Sequence, residues 1–263
     1  MPSSREQYFV GTLISLCAAL LGVSLVLKRY SMIGDGLSHV GFGVLTVAAA
    51  FGATSPLYIA VPCVTISAII LLKIGNNSKI KSDSSIALIS SSALAIGVAV
   101  TSRTTGMNTD VCNFMFGSIL AMSKADIILS IIVSIIVAVL FIIYYRKLFI
   151  VTFDEDFAKA SGLKAKRYIN IIAVLTALII VVGMRMMGVM LISSIIIFPA
   201  LTSMCIFKSF KKVVISSSII SVMSFLMGIY LSYIYNISTG AMIVIVNLVL
   251  FILFSIIEKI IYE

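Results

Sequence analysis

Residues 32–40 read Met-Ile-Gly-Asp-Gly-Leu-Ser-His-Val and lead into an otherwise apolar segment, Asp35–Phe51. Asp35 and His39, the only histidine of the chain, stand four positions apart. On a helix this spacing puts both side chains on one face, one turn apart. A carboxylate and an imidazole so placed can share a divalent cation or hydrogen-bond to each other, and ionisable groups inside a membrane need such a reason.

The composition is too apolar for a soluble protein. Hydrophobic residues occupy 61% of the 263 positions, charged residues only 11%, and the mean hydropathy is +1.21. Apolar runs of about 17 to 25 residues are typical of membrane-crossing helices, whereas β-barrel strands are about ten residues long and alternate in polarity. The sequence therefore predicts an all-α, polytopic membrane protein.

Nine segments are long enough to cross a membrane, and the connections between them leave no room for a soluble domain. We therefore expect one transmembrane domain over residues 1–263. The segments are Tyr8–Leu27, Asp35–Phe51, Leu57–Lys73, Ser84–Thr101, Ala125–Tyr145, Tyr168–Val182, Val189–Phe207, Val213–Tyr235 and Thr239–Ile257.

Basic residues are concentrated in alternate connections. Fifteen of the nineteen Lys and Arg residues fall on one side when the connections are assigned alternately to two sides. The positive-inside rule then predicts a cell-membrane protein with its N-terminus outside and its C-terminus in the cytoplasm. Topology and lipid contact thus explain the net charge of +9, and we infer no nucleic-acid partner from it. Arg185, one of the four exceptions, is expected to snorkel to the membrane interface.

The stretch Phe153–Leu163 predicts a short amphipathic helix on the basic side. Asp154 or a neighbour can cap this helix, and Gly162 can end it. Its expected apolar side consists of Phe157, Ala158 and Leu163. Such a helix is suited to being bound by another protein, and composition alone equally allows a helix that lies on the membrane surface.

The run from Tyr168 to Phe207 is too long for one crossing and is interrupted by residues 183–188, so it must turn there. The stretch Gly188–Ala200 then puts small and hydroxyl residues along one face, with a proline inside. This pattern suits close helix packing around a pathway and a locally opened backbone. The candidate pathway or packing residues are Ser38, Gly188, Ser193, Ser194 and Pro199.

The connection between the fourth and fifth segments contains a second set of possible ligands. Met107, Asp110 and Cys112 stand where an ion arriving from outside would first meet the protein, although loop residues of this kind are often inert. The apolar piece Phe114–Leu120 is too short to cross and would form a re-entrant or surface helix.

Four stretches, in this order along almost the whole chain, resemble the permease subunits of manganese, zinc and iron importers of the ABC class. They are Lys28–Asp35 running into Leu37–His39, then Phe116–Leu120, Phe153–Leu163 and Gly188–Ala200. The resemblance implies the ABC importer permease fold and transport of a divalent metal towards the cytoplasm. It also implies three partners: a second permease copy, an ABC ATPase subunit, and an extracytoplasmic metal-binding lipoprotein.

The resemblance also assigns roles to residues. Asp35 and His39 match the acid and histidine that the family associates with its metal pathway. Phe153–Leu163 matches the loop carrying the coupling helix, which docks on the ATPase subunit. Relatives commonly have a proline soon after the histidine, where this chain has Val40–Gly43. The expected coupling residues are Asp154, Phe157, Ala158 and Gly162.

Other interpretations remain open at this point. Asp35 can be a helix N-cap and His39 can simply bond to a neighbouring helix. Nitrogen-plus-oxygen ligation favours zinc, but manganese and ferrous iron accept the same donors, and no permanently bound cofactor is expected. Copper ranks low because the thirteen methionines form no repeated MxxM face. A proton-coupled stand-alone transporter and a scaffold are the alternatives to an ATP-driven permease.

Enzyme functions are disfavoured by the absence of their sequence motifs. The chain has no HExxH for a metalloprotease, no GxSxG nucleophile elbow and no Walker A sequence. We therefore expect a transport subunit without its own ATPase site, so that any ATP hydrolysis is carried out by a partner.

Overall fold

The computed structural model describes residues 4–53, 55–77, 82–104, 114–117 and 123–262. Within them, nine helices are long and apolar enough to cross a membrane, which confirms the predicted all-α polytopic fold. Met107, Asp110, Cys112 and residues 118–120 lie outside the described residues. The helices are α1 Ser4–Leu27, α2 Ser31–Ala50, α3 Pro56–Asn77, α4 Ser82–Arg103, α5 Lys124–Phe153, α6 Glu155–Ala160, α7 Ala165–Met187, α8 Val189–Ile206, α9 Phe210–Tyr235 and α10 Thr239–Tyr262.

Four helices, α1, α2, α7 and α8, form the interior of the bundle. Helix α1 packs against α5, α7, α8 and α9, while α2 packs against α3, α4, α7 and α8. About two thirds of the α1 and α2 spans is buried (67% each), but only 22% of α4 and 28% of α10. The outer helices therefore present their apolar side chains to the surroundings, as lipid-facing helices do.

Glycines allow α2 to be enclosed by its neighbours. A Cβ atom on Gly43 would lie 2.5 Å from the Ala93 carbonyl oxygen of α4, and one on Gly97 would lie 3.0 Å from the Gly43 Cα. On another side, Gly41 packs against the Met184 side chain of α7. Small residues let helix backbones approach closely, which gives the Val40–Gly43 sequence a packing role in this chain.

Helix α2 begins earlier than its apolar run predicts. Arg29 N–H donates to the Val26 carbonyl and Tyr30 N–H to the Leu25 carbonyl, so the chain reverses directly after α1. Tyr30 is the residue at the N-cap position, and Ser31 is the first residue of α2. The N-cap interpretation of Asp35 is therefore wrong: this acid lies inside the helix, one turn after its start.

Helix α6 forms where the amphipathic pattern predicts it. The Asp154 carboxylate caps it by accepting hydrogen bonds from the backbone N–H groups of Asp156 (3.0 Å) and Phe157 (2.8 Å). Gly162 follows the helix with φ +78°, a conformation that favours glycine. Ala158 is fully buried, but Phe157 is 59% exposed, so these two residues do not lie on one apolar side of the helix as predicted.

The turn between α7 and α8 is a single residue, Gly188. Its φ is +90°, and a Cβ there would lie 2.5 Å from the Gly117 nitrogen and 2.6 Å from the Met115 carbonyl oxygen. Residues 114–117 therefore rest directly on this turn. Further along α8, Pro199 is buried inside the helix and supplies no N–H to the carbonyl one turn before it.

An ion pair joins α5 and α7 at the same end of the bundle as Gly188. Ser123 and Asp126 form a capping box at the start of α5, with both hydrogen bonds at 3.1 Å. The Asp126 side chain is 5% exposed, and its Oδ2 lies 3.7 Å from Arg185 Nε, while the Arg185 guanidinium lies over the Phe114 ring. Arg185, expected to snorkel to the membrane interface, therefore also supplies a cation close to the buried Asp126 carboxylate.

Candidate metal site

Asp35 and His39 lie side by side on α2, as their spacing predicts. His39 Nε2 is 3.7 Å from Asp35 Oδ2, which is longer than a hydrogen bond. The other ring nitrogen, Nδ1, is buried and has no hydrogen-bond partner among the described residues. The imidazole therefore has a nitrogen facing the carboxylate across a gap, and neither ring nitrogen hydrogen-bonds to any of the residues that the structure describes.

Ser38 and Ser193 support the carboxylate from the buried side. Ser193 Oγ of α8 donates to Asp35 Oδ1 at 3.3 Å and lies 3.3 Å from Ser38 Oγ, which itself donates to the Asp35 carbonyl at 2.7 Å. Ser38 is fully buried and Ser193 is 8% exposed. One carboxylate oxygen is thus oriented by α8, while the other faces His39.

The gap between Asp35 and His39 fits two ligands of one ion. Zinc lies about 2.0 to 2.2 Å from carboxylate oxygen and imidazole nitrogen, so two such donors can be at most about 4.3 Å apart. The observed 3.7 Å satisfies this limit. Among the described residues, no cluster of three or more His, Cys, Asp or Glu side chains could hold a metal, so further ligands must come from outside this set.

The site is open on one side. The Asp35 side chain is 46% exposed and that of His39 is 26% exposed, although α2 is a membrane-length apolar helix. Partly exposed acid and imidazole groups are costly against lipid and are expected to face water, an ion or another protein surface. The exposed side of the pair is therefore where additional ligands can approach.

The remaining candidate pathway residues do not join this cluster. The Ser194 hydroxyl donates to the Met190 carbonyl of its own helix, which is a common local hydrogen bond for a serine inside a helix. Gly188 forms the turn at the start of α8, and Pro199 lies beyond Ser193 in the same helix. Within the described part of the chain, Ser193 is the one candidate residue on α8 that bonds to Asp35.

The helix α6 is connected to the α1–α2 turn by an ion pair that sequence reasoning missed. Lys28 Nζ lies 3.2 Å from Glu155 Oε2, and Lys159 Nζ lies 3.2 Å from Glu155 Oε1. Partial burial opposes ionisation of Glu155, but the hydrogen bonds from Lys159 and Lys28 outweigh it and hold the pKa of the carboxyl below its ordinary value. The spacing of Glu155 and Lys159 could have predicted the intrahelical pair, but the pairing with Lys28 had no local signal.

Comparison with known proteins places the chain in a family. Residues 4–258 match the model of the ABC 3 transport family. The high-affinity zinc uptake system membrane protein ZnuB of Haemophilus influenzae is 31% identical over 92% of this chain and 93% of its own length. The manganese import system permease protein ScaB of Streptococcus gordonii is 30% identical over 94% of this chain and 88% of its own length.

A solved structure agrees with these relatives. The structure titled PsaBC from Streptococcus pneumoniae in complex with Fab superposes with a TM-score of 0.84 and 28% identity, covering 95% of this chain and 90% of that chain. The family match, the relatives and the fold thus agree with the resemblance carried by the four ordered stretches. The chain is a multi-pass membrane protein that belongs to the ABC 3 transport family.

Proposed function

We propose that this chain is the permease subunit of an ATP-driven importer of divalent metal and that Asp35 and His39 contact the ion on its way to the cytoplasm. The observation that carries this proposal is the 3.7 Å gap between His39 Nε2 and Asp35 Oδ2, combined with a second ring nitrogen that has no hydrogen-bond partner in the part of the chain that the structure describes. The proposed orientation has the N-terminus outside and the C-terminus in the cytoplasm.

Two ligands from one chain suit a transported ion. A tight four-ligand site would retain the metal, whereas conduction requires binding weak enough for release. The proposed remaining ligands are water or groups from a second permease copy, since these can approach the open side of the pair. The Ser38 hydroxyl lies on the buried side, where it donates to the Asp35 carbonyl, and would support the site from there. A homodimer would place the exposed faces of Asp35 and His39 along a shared path.

Energy would come from a partner ATPase through α6. Phe157 and Asp156 are exposed on this helix, while Ala158 packs into the protein, so α6 presents one side to a partner and is held by the other. In this proposal an extracytoplasmic metal-binding lipoprotein delivers the ion at the opposite end of the bundle. Asp154 and Gly162 would fix the position of α6 by capping and ending it.

Zinc is the favoured ion on the basis of its ligands, and manganese and iron are the alternatives. Imidazole and carboxylate suit zinc, but the same donors bind manganese and ferrous iron, and availability also decides selection. The relatives named above carry zinc and manganese in their names, and a further relative from Haemophilus influenzae is named as a probable iron transport protein.

Metal uptake by cells tests the proposal. Asp35→Ala and His39→Ala, expressed at the normal level in a deletion strain, should each abolish uptake, while Ser92→Ala on the exposed side of α4 should preserve it. Unchanged uptake by both site variants would remove these residues from the mechanism. Growth of the deletion strain in chelated medium, restored by one added metal and no other, would identify the ion.

A further inference from the structure

The ion pair between Lys28 and Glu155 joins two functional parts of the chain. Lys28 follows α1 and precedes the helix that carries Asp35 and His39, whereas Glu155 is the first residue of α6. Lys28 Nζ donates to Glu155 Oε2 at 3.2 Å across a separation of 127 positions. The contact therefore links the proposed ATPase-docking helix to the proposed metal-site helix.

The pair is more buried than an ordinary surface ion pair. The Lys28 side chain is 11% exposed, and that of Glu155 is 33% exposed. A largely buried ammonium group is strongly destabilised when its partner is removed, because its charge is then left uncompensated. Glu155 also forms an ion pair within its own helix, with Lys159, whose side chain is 51% exposed. Lys28 is thus the buried member and Lys159 the exposed member of a three-residue set.

The chain between Lys28 and α2 is short and well ordered by backbone hydrogen bonds. Lys28 N–H donates to the Ser24 carbonyl at 3.1 Å, and Tyr30 N–H donates to the Leu25 carbonyl at 2.8 Å. Arg29 adopts φ +59°, and α2 begins at Ser31. Burial and the neighbouring Glu155 raise the pKa of Tyr30, so this side chain also lies within electrostatic range of α6. A displacement of α6 would therefore move the start of α2 rather than be absorbed by a loop.

We propose that Lys28 and Glu155 transmit the movement of the ATPase-bound α6 to α2, and so act as positioning residues for Asp35 and His39. This inference rests on the proposed function and extends it, because it names the contact by which ATP hydrolysis reaches the metal site. It assigns Lys159 to stabilisation of α6 alone.

The test uses the permease together with its ATPase subunit and measures metal uptake per ATP hydrolysed. Lys28→Glu and Glu155→Lys should each lower this ratio by about tenfold while the ATPase subunit still co-purifies and hydrolyses ATP. The double variant carrying both reversals should regain a ratio near that of the wild type. Lys159→Gln, which removes the other cation at the same distance from Glu155, should leave the ratio within about twofold.

Hydrogen exchange of residues 31–50 gives a second readout that needs no metal. Addition of ATP should change exchange in the wild type, Lys159→Gln and the double reversal, but not in either single reversal. If the single reversals fail to assemble, Glu155→Gln keeps the side-chain shape and carries the same expectation. A normal ratio and normal ATP response in the single variants, or no recovery in the double reversal, would overturn the proposal. A wild-type complex that shows the ATP response without metal uptake would contradict the proposed function instead.

Discussion

Replacing Gly188 by alanine should destabilise the protein through two separable effects. The residue has φ +90° and ψ 158°, a conformation essentially restricted to glycine, and a side chain there costs on the order of 1–3 kcal/mol. The new Cβ would also lie 2.5 Å from the Gly117 nitrogen and 2.6 Å from the Met115 carbonyl oxygen. Both neighbours are backbone atoms, which cannot rotate away, so overpacking adds about 2 kcal/mol.

Gly52 provides the matched control for this substitution. It has φ +75°, but a Cβ there would meet nothing within 4 Å, so Gly52→Ala tests backbone strain alone. We expect Gly188→Ala to lower the free energy of unfolding by about 4 kcal/mol and Gly52→Ala by about 1 kcal/mol. The assay is denaturation in detergent followed by circular dichroism, since the chain has no tryptophan.

Metal uptake should also distinguish Gly188→Ala from Gly52→Ala. Gly188 precedes the helix that places Ser193 beside Asp35, so a displaced turn should also weaken that 3.3 Å hydrogen bond and lower metal uptake. Gly52→Ala should transport normally. Equal destabilisation by the two substitutions would refute the close packing of Gly188 against residues 114–117.

Three further substitutions have defined outcomes. Arg185→Gln leaves the buried Asp126 carboxylate without its cation, so the free energy of unfolding should fall by about 3 kcal/mol in the same denaturation assay. Ser193→Ala removes a hydrogen bond to Asp35 Oδ1 and should weaken metal affinity by about tenfold, measured by uptake at low metal concentration. Glu155 has a pKa below its ordinary value of 4.5 in the folded protein, so its stabilising effect is present above pH 4.5 and is lost as the pH falls through the lower, folded-state pKa. The difference in melting temperature between wild type and Glu155→Gln should accordingly be constant above that pH and disappear in more acid solution.

Controls for these substitutions lie on the exposed surface of α4. Arg103 is an exposed arginine at the end of this helix, and Arg103→Gln should leave stability unchanged. Ser92 bonds to the Leu88 carbonyl of its own helix, and Ser92→Ala should leave metal affinity unchanged. If Arg103→Gln destabilised as much as Arg185→Gln, the effect would reflect lost surface charge and not an uncompensated Asp126. A difference between wild type and Glu155→Gln that grew in acid would contradict the lowered pKa.

Local patterns were sufficient to predict most of the fold. Each membrane span is an apolar run of sufficient length, and the turn at Gly188 and the Asp154 cap follow from residue type. The ends of helices were less predictable where a helix continues beyond its apolar run into charged residues. Helix α5 continues from Tyr145 through charged residues to Phe153, where the Phe149 and Phe153 rings pack against Phe210 of α9.

Contacts between distant parts of the chain could not be predicted from local patterns. Asp35 and His39 are neighbours because of helical periodicity, but the bond from Ser193 depends on how α8 crosses α2. The same holds for Lys28 with Glu155, and for Arg185 with Asp126. In each case the sequence shows the charged or polar residue, but its partner depends on how distant helices pack together.

X-ray absorption at the metal edge of the purified permease, loaded with one equivalent of zinc or manganese, would show whether the ion binds to Asp35 and His39. We expect a first coordination shell of nitrogen and oxygen, with the imidazole signal lost in His39→Gln and retained in Ser92→Ala. A sulfur-containing shell, or an imidazole-free spectrum in the wild type that is unchanged by His39→Gln, would contradict direct contact between the ion and the Asp35–His39 pair.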